Sequence, residues 1–138
     1  LLKTPKDQID LAVDHWLGRI GLDSSRGGQA TRLSGGERQK LAIARALIRK
    51  PDVLFLDEPS ANLDGHATRE IEALLHEVAN AGTRLVMATH DMGQARRLAN
   101  DVVFLLNGRV HEYGLAEPLF STPSTLELIA FLRGDIVS

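Results

Sequence analysis

Cysteine is missing from all 138 residues, which excludes disulfides and thiolate metal sites. A basic excess is missing too. Lys and Arg total 16 against 18 Asp and Glu, for a net charge of -2 and a pI near 6.2. That balance argues against nucleic acid or an anionic membrane surface as partner. No apolar run approaches the roughly 18 to 20 residues that a membrane-spanning helix needs. There is no internal repeat and no low-complexity segment. What remains is 43% hydrophobic and 25% charged, the composition of an ordinary globular domain. The chain opens on Leu1 and Leu2 rather than Met, and reads as an internal piece of something longer.

Hydrophobic spacing divides the chain into alternating elements. Ile9, Val13, Trp16, Leu17 and Ile20 predict a helix over Lys6–Ile20, closed by Gly21, with Trp16 in the core. Asp23 to Arg32 is polar and Gly-rich and reads as loop. A second helix is expected from Gly35 to Arg49, burying Leu41, Ala44, Leu47 and Ile48 and stopped by Lys50-Pro51. VLFL (Val53 to Leu56) and LVMAT (Leu85 to Thr89) are continuous apolar runs, which predict strands buried on both faces. Between them a third helix spans Ala67 to Ala79 and ends near Gly82. DMGQARRLA makes a short helix, and VVFLL, Asn107-Gly108 and RVHEY make a hairpin. After Pro123 one more amphipathic helix covers Ser124 to Leu132. Strands alternating with helices give an α/β domain with a mainly parallel sheet.

Three stretches carry chemistry. In LSGGER, Ser34 and Glu37 have the spacing of a capping box, in which each side chain satisfies a free backbone N–H at a helix start. Gly35 and Gly36 cost helix stability, about 1 kcal/mol each relative to Ala. Close approach of a phosphate to the exposed amides and the positive end of the helix dipole would justify that cost. VLFLDEP sets Asp57 and Glu58 at the carboxyl end of a strand, where α/β folds bind ligands. Asp57 suits Mg²⁺, a cation that prefers oxygen donors, and Glu58 could orient or deprotonate a water. His90 follows the LVMAT strand and precedes a helix start. His15, His66, His76 and His111 receive no role.

In that order these residues resemble the nucleotide-binding domain of ATP-binding-cassette (ABC) transporters. LSGGERQ (Leu33 to Gln39) is similar to the signature motif, and VLFLDE to the Walker B strand with its catalytic glutamate. SANLD (Ser60 to Asp64) resembles the D-loop, and His90 the switch histidine. The resemblance implies a P-loop NTPase-like (RecA-like) parallel sheet with part of an α-helical subdomain. It places that subdomain in residues 1–50, the second half of the catalytic core in 51–116 and a helical tail in 117–138. It also implies ATP and Mg²⁺ as cofactors, with Asp57 on the metal and Glu58 and His90 as catalytic residues. Ser34, Gly35, Gly36, Glu37 and Asp64 would serve the nucleotide.

The same chain has no G-x-x-x-x-G-K-S/T stretch, and its single Tyr113, on the hairpin, does not replace an adenine-stacking aromatic. The resemblance is therefore to the C-terminal portion of the domain, truncated before the phosphate loop and inactive alone. In this family two domains pair head to tail, so LSGGER would cover ATP held by the partner domain, with Asp64 coupling the two sites. Implied partners are that second domain, transmembrane permease subunits and a solute-binding protein, at the cytoplasmic face of the membrane, without nucleic acid. Loss of a neighbouring strand should leave an apolar strand edge bare and the chain prone to self-association. THDMGQARRLANDVVFLLNGRV and the ending FLRGDIV resemble bacterial importers of oxyanions such as tungstate or phosphate and their polar-amino-acid neighbours. Two other readings stand beside the importer. One is a non-transport cassette ATPase acting on DNA or ribosomes, and the other is a catalytically silent fragment that docks on an intact partner. Gly65, where many relatives carry Pro, should loosen the start of the helix after the D-loop.

Overall fold

A computed structural model describes residues 5–135. Leu1, Leu2 and the Ile136-Val137 pair of FLRGDIV lie outside the described residues. The element order is α1 (Lys6–Arg19), α2 (Gly35–Leu47), β1 (Val53–Asp57), α3 (Gly65–Asn80), β2 (Arg84–Ala88), α4 (Met92–Leu98), β3 (Asp101–Leu106), β4 (Arg109–Leu115), α5 (Ala116–Ser121) and α6 (Leu126–Arg133). Two short 3₁₀ turns, Asp23–Ser25 and Ala30–Arg32, shape the stretch expected as loop. The chain divides after Ala88 into two compact units.

In the first unit Gly21 takes a left-handed conformation that ends the α1 segment. No residue of α1 is fully buried; Ile20 and Leu22, at and beyond its end, carry the burial instead. Trp16 is half-buried rather than in the core. It meets His15 edge-on and lines a surface hollow of about 450 Å³ with Leu47, Pro51 and Val78. Arg19 pairs with Glu77, joining α1 to α3. Helix α2 buries Gly36, Ile43, Ala44 and Leu47. Leu41 is only half-buried and Ile48 is exposed. The buried stripe is thus rotated from the expected one, because Ile48 is already the C-cap where the chain leaves the helix. Lys50, at φ 49°, completes the stop before Pro51.

β1 and β2 pair in parallel, from Val53 opposite Arg84 to Asp57 opposite Ala88. Helix α3 is the crossover between them and packs on β2, with Ile71 and Leu75 completely enclosed. Side chains alternate across a strand. Leu54, Leu56, Leu85 and Met87 accordingly turn to the covered side, while Val53, Phe55 and Val86 are exposed. The expectation of strands buried on both faces is corrected here. An apolar run specifies a strand that can be covered twice, and the described residues cover it once.

The second unit centres on Ala95, Phe104, Ala116, Leu119, Phe120 and Leu128. β3 and β4 form the expected antiparallel hairpin. Asn107 and Gly108 both adopt positive φ, as a two-residue type I′ turn requires. A register shift at Phe104/Leu105 sets Phe104 opposite Glu112 and Leu105 opposite Val110. Helix α5 was not expected. It starts directly after β4 with Pro118 in its first turn, where a missing amide hydrogen costs no intrahelical bond. Helix α6 overlaps the expected segment and runs one residue beyond it, capped by Thr125 and closed by Gly134 in the left-handed region. Glu112 binds it to the hairpin by accepting from the amides of Ser124 and Thr125 and from the Thr125 hydroxyl. These donors, the Ser124 amide foremost, hold the Glu112 carboxyl below its ordinary range.

Candidate nucleotide-binding site

At the start of α2 the capping box is complete. The Glu37 amide donates to Ser34 Oγ at 3.2 Å, and the Ser34 amide donates to Glu37 Oε2 at 2.7 Å. The Ser34 amide favours the ionised carboxylate, and the Ser34 hydroxyl does so to a lesser extent, so Glu37 titrates below its ordinary value, with Lys40 adding a smaller pull. Ser34 and Gly35 are exposed, whereas Gly36 is buried. The two glycines therefore face different surroundings. A Cβ on Gly35 would lie 3.3 Å from Leu63 Cδ2, and one on Gly36 would lie 2.8 Å from the Ala67 Cβ. The helix tip is open to an incoming group at Ser34 and Gly35 and closed by protein at Gly36.

The neighbouring segment belongs to the same unit. β1 ends with Asp57 exposed. Glu58 follows at φ 45°, a left-handed conformation that is uncommon for a residue other than Gly and clusters at functional sites. The Glu58 amide donates to the Ala88 carbonyl at 2.9 Å, closing the carboxyl ends of the two strands, and its carbonyl accepts from Ala61 at 3.1 Å. Asn62, at φ 61°, continues the turn, and Pro59 is enclosed beneath it. Asp64 then caps α3: Oδ1 accepts from His66 at 2.8 Å and Ala67 at 2.9 Å. The Ala67 amide first, then that of His66, holds this carboxyl below its ordinary range. This cap offsets the looseness expected from Gly65, which is the first residue of the helix.

The tip of α2 and the turn after β1 thus meet through Gly35–Leu63 and Gly36–Ala67. Higher along the same helices, Lys40 Nζ lies 3.2 Å from Glu70 Oε2. His90 belongs to the second unit. It is exposed and precedes Asp91, the cap of α4, whose side chain accepts from Gln94 at 3.0 Å. Among the described residues no three His, Asp or Glu side chains converge as a metal cage. Mg²⁺ needs none, since it retains waters and takes one or two carboxylates together with phosphate oxygens. An exposed Asp57 at a strand's carboxyl end fits that donor set.

Sequence reasoning did not single out Leu63 and Ala67 as neighbours of the glycines. Their contact joins distant parts of the chain, and no local pattern announces it. The strained backbone of Glu58 was equally invisible, because nothing in DEP demands positive φ.

A parallel strand pair with acids at its carboxyl end and a capped Ser-Gly-Gly helix thus stand in one unit. The family model described as ABC transporter matches residues 4–61, and over most of its length the chain is similar to ATP-binding proteins of transport systems. It is 38% identical over 122 residues to the histidine/lysine/arginine/ornithine transport ATP-binding protein HisP of Escherichia coli, a match covering 88% of this chain and 48% of that protein. It is 43% identical over 118 residues to the phosphate import ATP-binding protein PstB 2 of Natronomonas pharaonis, covering 86% of this chain and 42% of the relative. Among solved structures, cbiO1 of Clostridium perfringens, part of the ABC transporter complex cbiONQ, aligns with a TM-score of 0.77 and 34% identity. That alignment covers 88% of this chain and 49% of the other. The chain spans about half the length of the curated relatives it matches. No helix among the described residues is long and apolar enough to cross a membrane.

Proposed function

We propose that these residues form the second half of the ATP-hydrolysing subunit of an ABC importer. The observation that carries this reading is the exposed, internally capped tip of α2, standing in one unit with Asp57 and Glu58 at the carboxyl end of β1. The capping box uses the Ser34 and Glu37 amides, so the tip offers the Ser34 hydroxyl and the amides of Gly35 and Gly36 to a nucleotide phosphate, aided by the helix dipole. No G-x-x-x-x-G-K-S/T stretch occurs in the 138 residues. By the family resemblance, the phosphate loop facing this tip is that of a second ATP-binding domain paired head to tail. On their own these residues do not turn over ATP.

Asp57 would hold Mg²⁺, whose charge offsets that on the phosphates. Glu58 accepts the proton of, or orients, the attacking water. The strained backbone supports this role by fixing the direction of its side chain. His90 donates to the terminal phosphate and stabilises developing charge. Asp64 keeps the turn between the two sites in shape by capping α3. Permease subunits and a solute-binding protein complete the assembly, with the chain lying peripherally at the cytoplasmic face of the membrane. The relatives named above carry the importer assignment. The solutes in their names point to small charged compounds, either polar amino acids or phosphate. Tungstate joins them only through the resemblance of the ending FLRGDIV, and partner subunits select among these solutes.

The reading is tested with Glu58→Gln in the complete ATP-binding subunit. Steady-state ATP turnover should fall by about a hundredfold or more, with ATP binding retained. Unchanged turnover would remove Glu58 from the reaction.

A further inference from the structure

The second glycine of the signature stretch meets protein rather than solvent. Gly36 is buried, and a side chain there would begin 2.8 Å from the Ala67 Cβ and 3.9 Å from its Cα. Two methyl carbons do not approach to 2.8 Å without displacing one of them. Ala67 has little freedom to yield, since it sits in the first turn of α3 with its amide bonded to Asp64 Oδ1. Leu63 supports the neighbouring Gly35, and Lys40–Glu70 ties the same two helices farther up. The exposed neighbours Ser34 and Gly35 show which side of the tip is open. It is not the side on which residue 36 lacks its Cβ.

We infer that Ala67 is a positioning residue: its methyl group occupies the space a side chain at residue 36 would need, and so seats the tip of α2 on the first turn of α3. The inference rests on the proposed function, because it explains how that tip is presented to a nucleotide. It assigns the bare Cβ position of Gly36 to contact between two helices of one unit. The phosphate then needs only the backbone amide, which any residue supplies.

Moving the methyl group from one helix to the other tests this. Gly36→Ala, Ala67→Gly and the double exchange are compared by thermal melting and by kcat and KM for ATP, all in the complete ATP-binding subunit. The single Gly36→Ala change should lower the melting temperature. It should also reduce kcat by about tenfold or more while KM moves less than about threefold. In the double exchange the gain and loss of helix propensity cancel, and most of both losses should be recovered. Recovery of melting without recovery of kcat would overturn the inference, because the nucleotide would then be what demands a bare position. Failure of melting to recover would overturn it as well, since the Ala67 contact would not be the constraint. An unsubstituted complete subunit without turnover would instead sink the proposed function, and the melting comparison would still decide the packing.

Discussion

The two strand pairs solve the same packing problem and leave different things exposed. β1–β2 covers the side bearing Leu54 and Leu85 and leaves Phe55 75% exposed. β3–β4 buries Phe104 among α5 and α6 and leaves Val103 and Tyr113 in the open. The hairpin's acid is tied down, with Glu112 on Ser124 and Thr125 at the start of α6. The parallel pair instead ends in an exposed Asp57 and a Glu58 held at positive φ. In one unit the carboxylate stabilises the fold. In the other the fold holds carboxylates at an open edge, where chemistry can use them.

The largest effect separates the covered from the bare side of the first unit. Leu75 is completely enclosed, so Leu75→Ala should destabilise the chain by about 2–5 kcal/mol through lost burial and a residual cavity. Phe55→Thr, on the exposed side, should stay within about 0.5 kcal/mol and reduce self-association. Chemical denaturation with light scattering reads both. A large loss at Phe55 would mean that this face is covered in solution, which would break the contrast.

A smaller effect comes with acid. Glu37, Asp64 and Glu112 all titrate below their ordinary values. A carboxyl with a depressed folded pKa contributes stability that is fully present above its unfolded value and fades as pH falls through the folded one. Those reference values are 4.5 for Glu37 and Glu112 and 3.8 for Asp64. Stability should therefore decline as pH falls below about 4.5, at the α2 tip, the α3 cap and the hairpin clamp alike. Amide exchange at His66, Ala67, Ser124 and Thr125 followed through this range separates the sites. Protection relative to the intrinsic exchange rate that stays constant down to about pH 3 would contradict these assignments.

Local patterns were legible in the sequence. Ser34 and Glu37 sit three residues apart, and Asn107-Gly108 adopts the turn its chemistry favours, because both depend on neighbours in the chain. The helix and strand assignments within Lys6–Leu106 hold for the same reason. What escaped depends on partners distant in sequence. Trp16 and Ile48 are apolar and correctly spaced, yet what covers them is decided elsewhere. The two-sided burial expected of VLFL needs a second layer that the described residues do not supply. Helix α5 was hidden by Pro118, which reads as a breaker and is tolerated in a first turn. Of the candidate site, Ser34, Gly35, Asp57 and Glu58 were legible only as residue types and spacing. The burial of Gly36 against Ala67 required the fold.

The central claim is that the tip of α2 serves a nucleotide held by another ATP-binding domain. ATP-dependent dimerisation of the complete subunit carrying Glu58→Gln, measured by light scattering with and without Ser34→Arg, tests it most directly. The account predicts a dimer with ATP that Ser34→Arg abolishes while each monomer still binds ATP. A dimer that survives Ser34→Arg, or loss of ATP binding by the monomer itself, would contradict it.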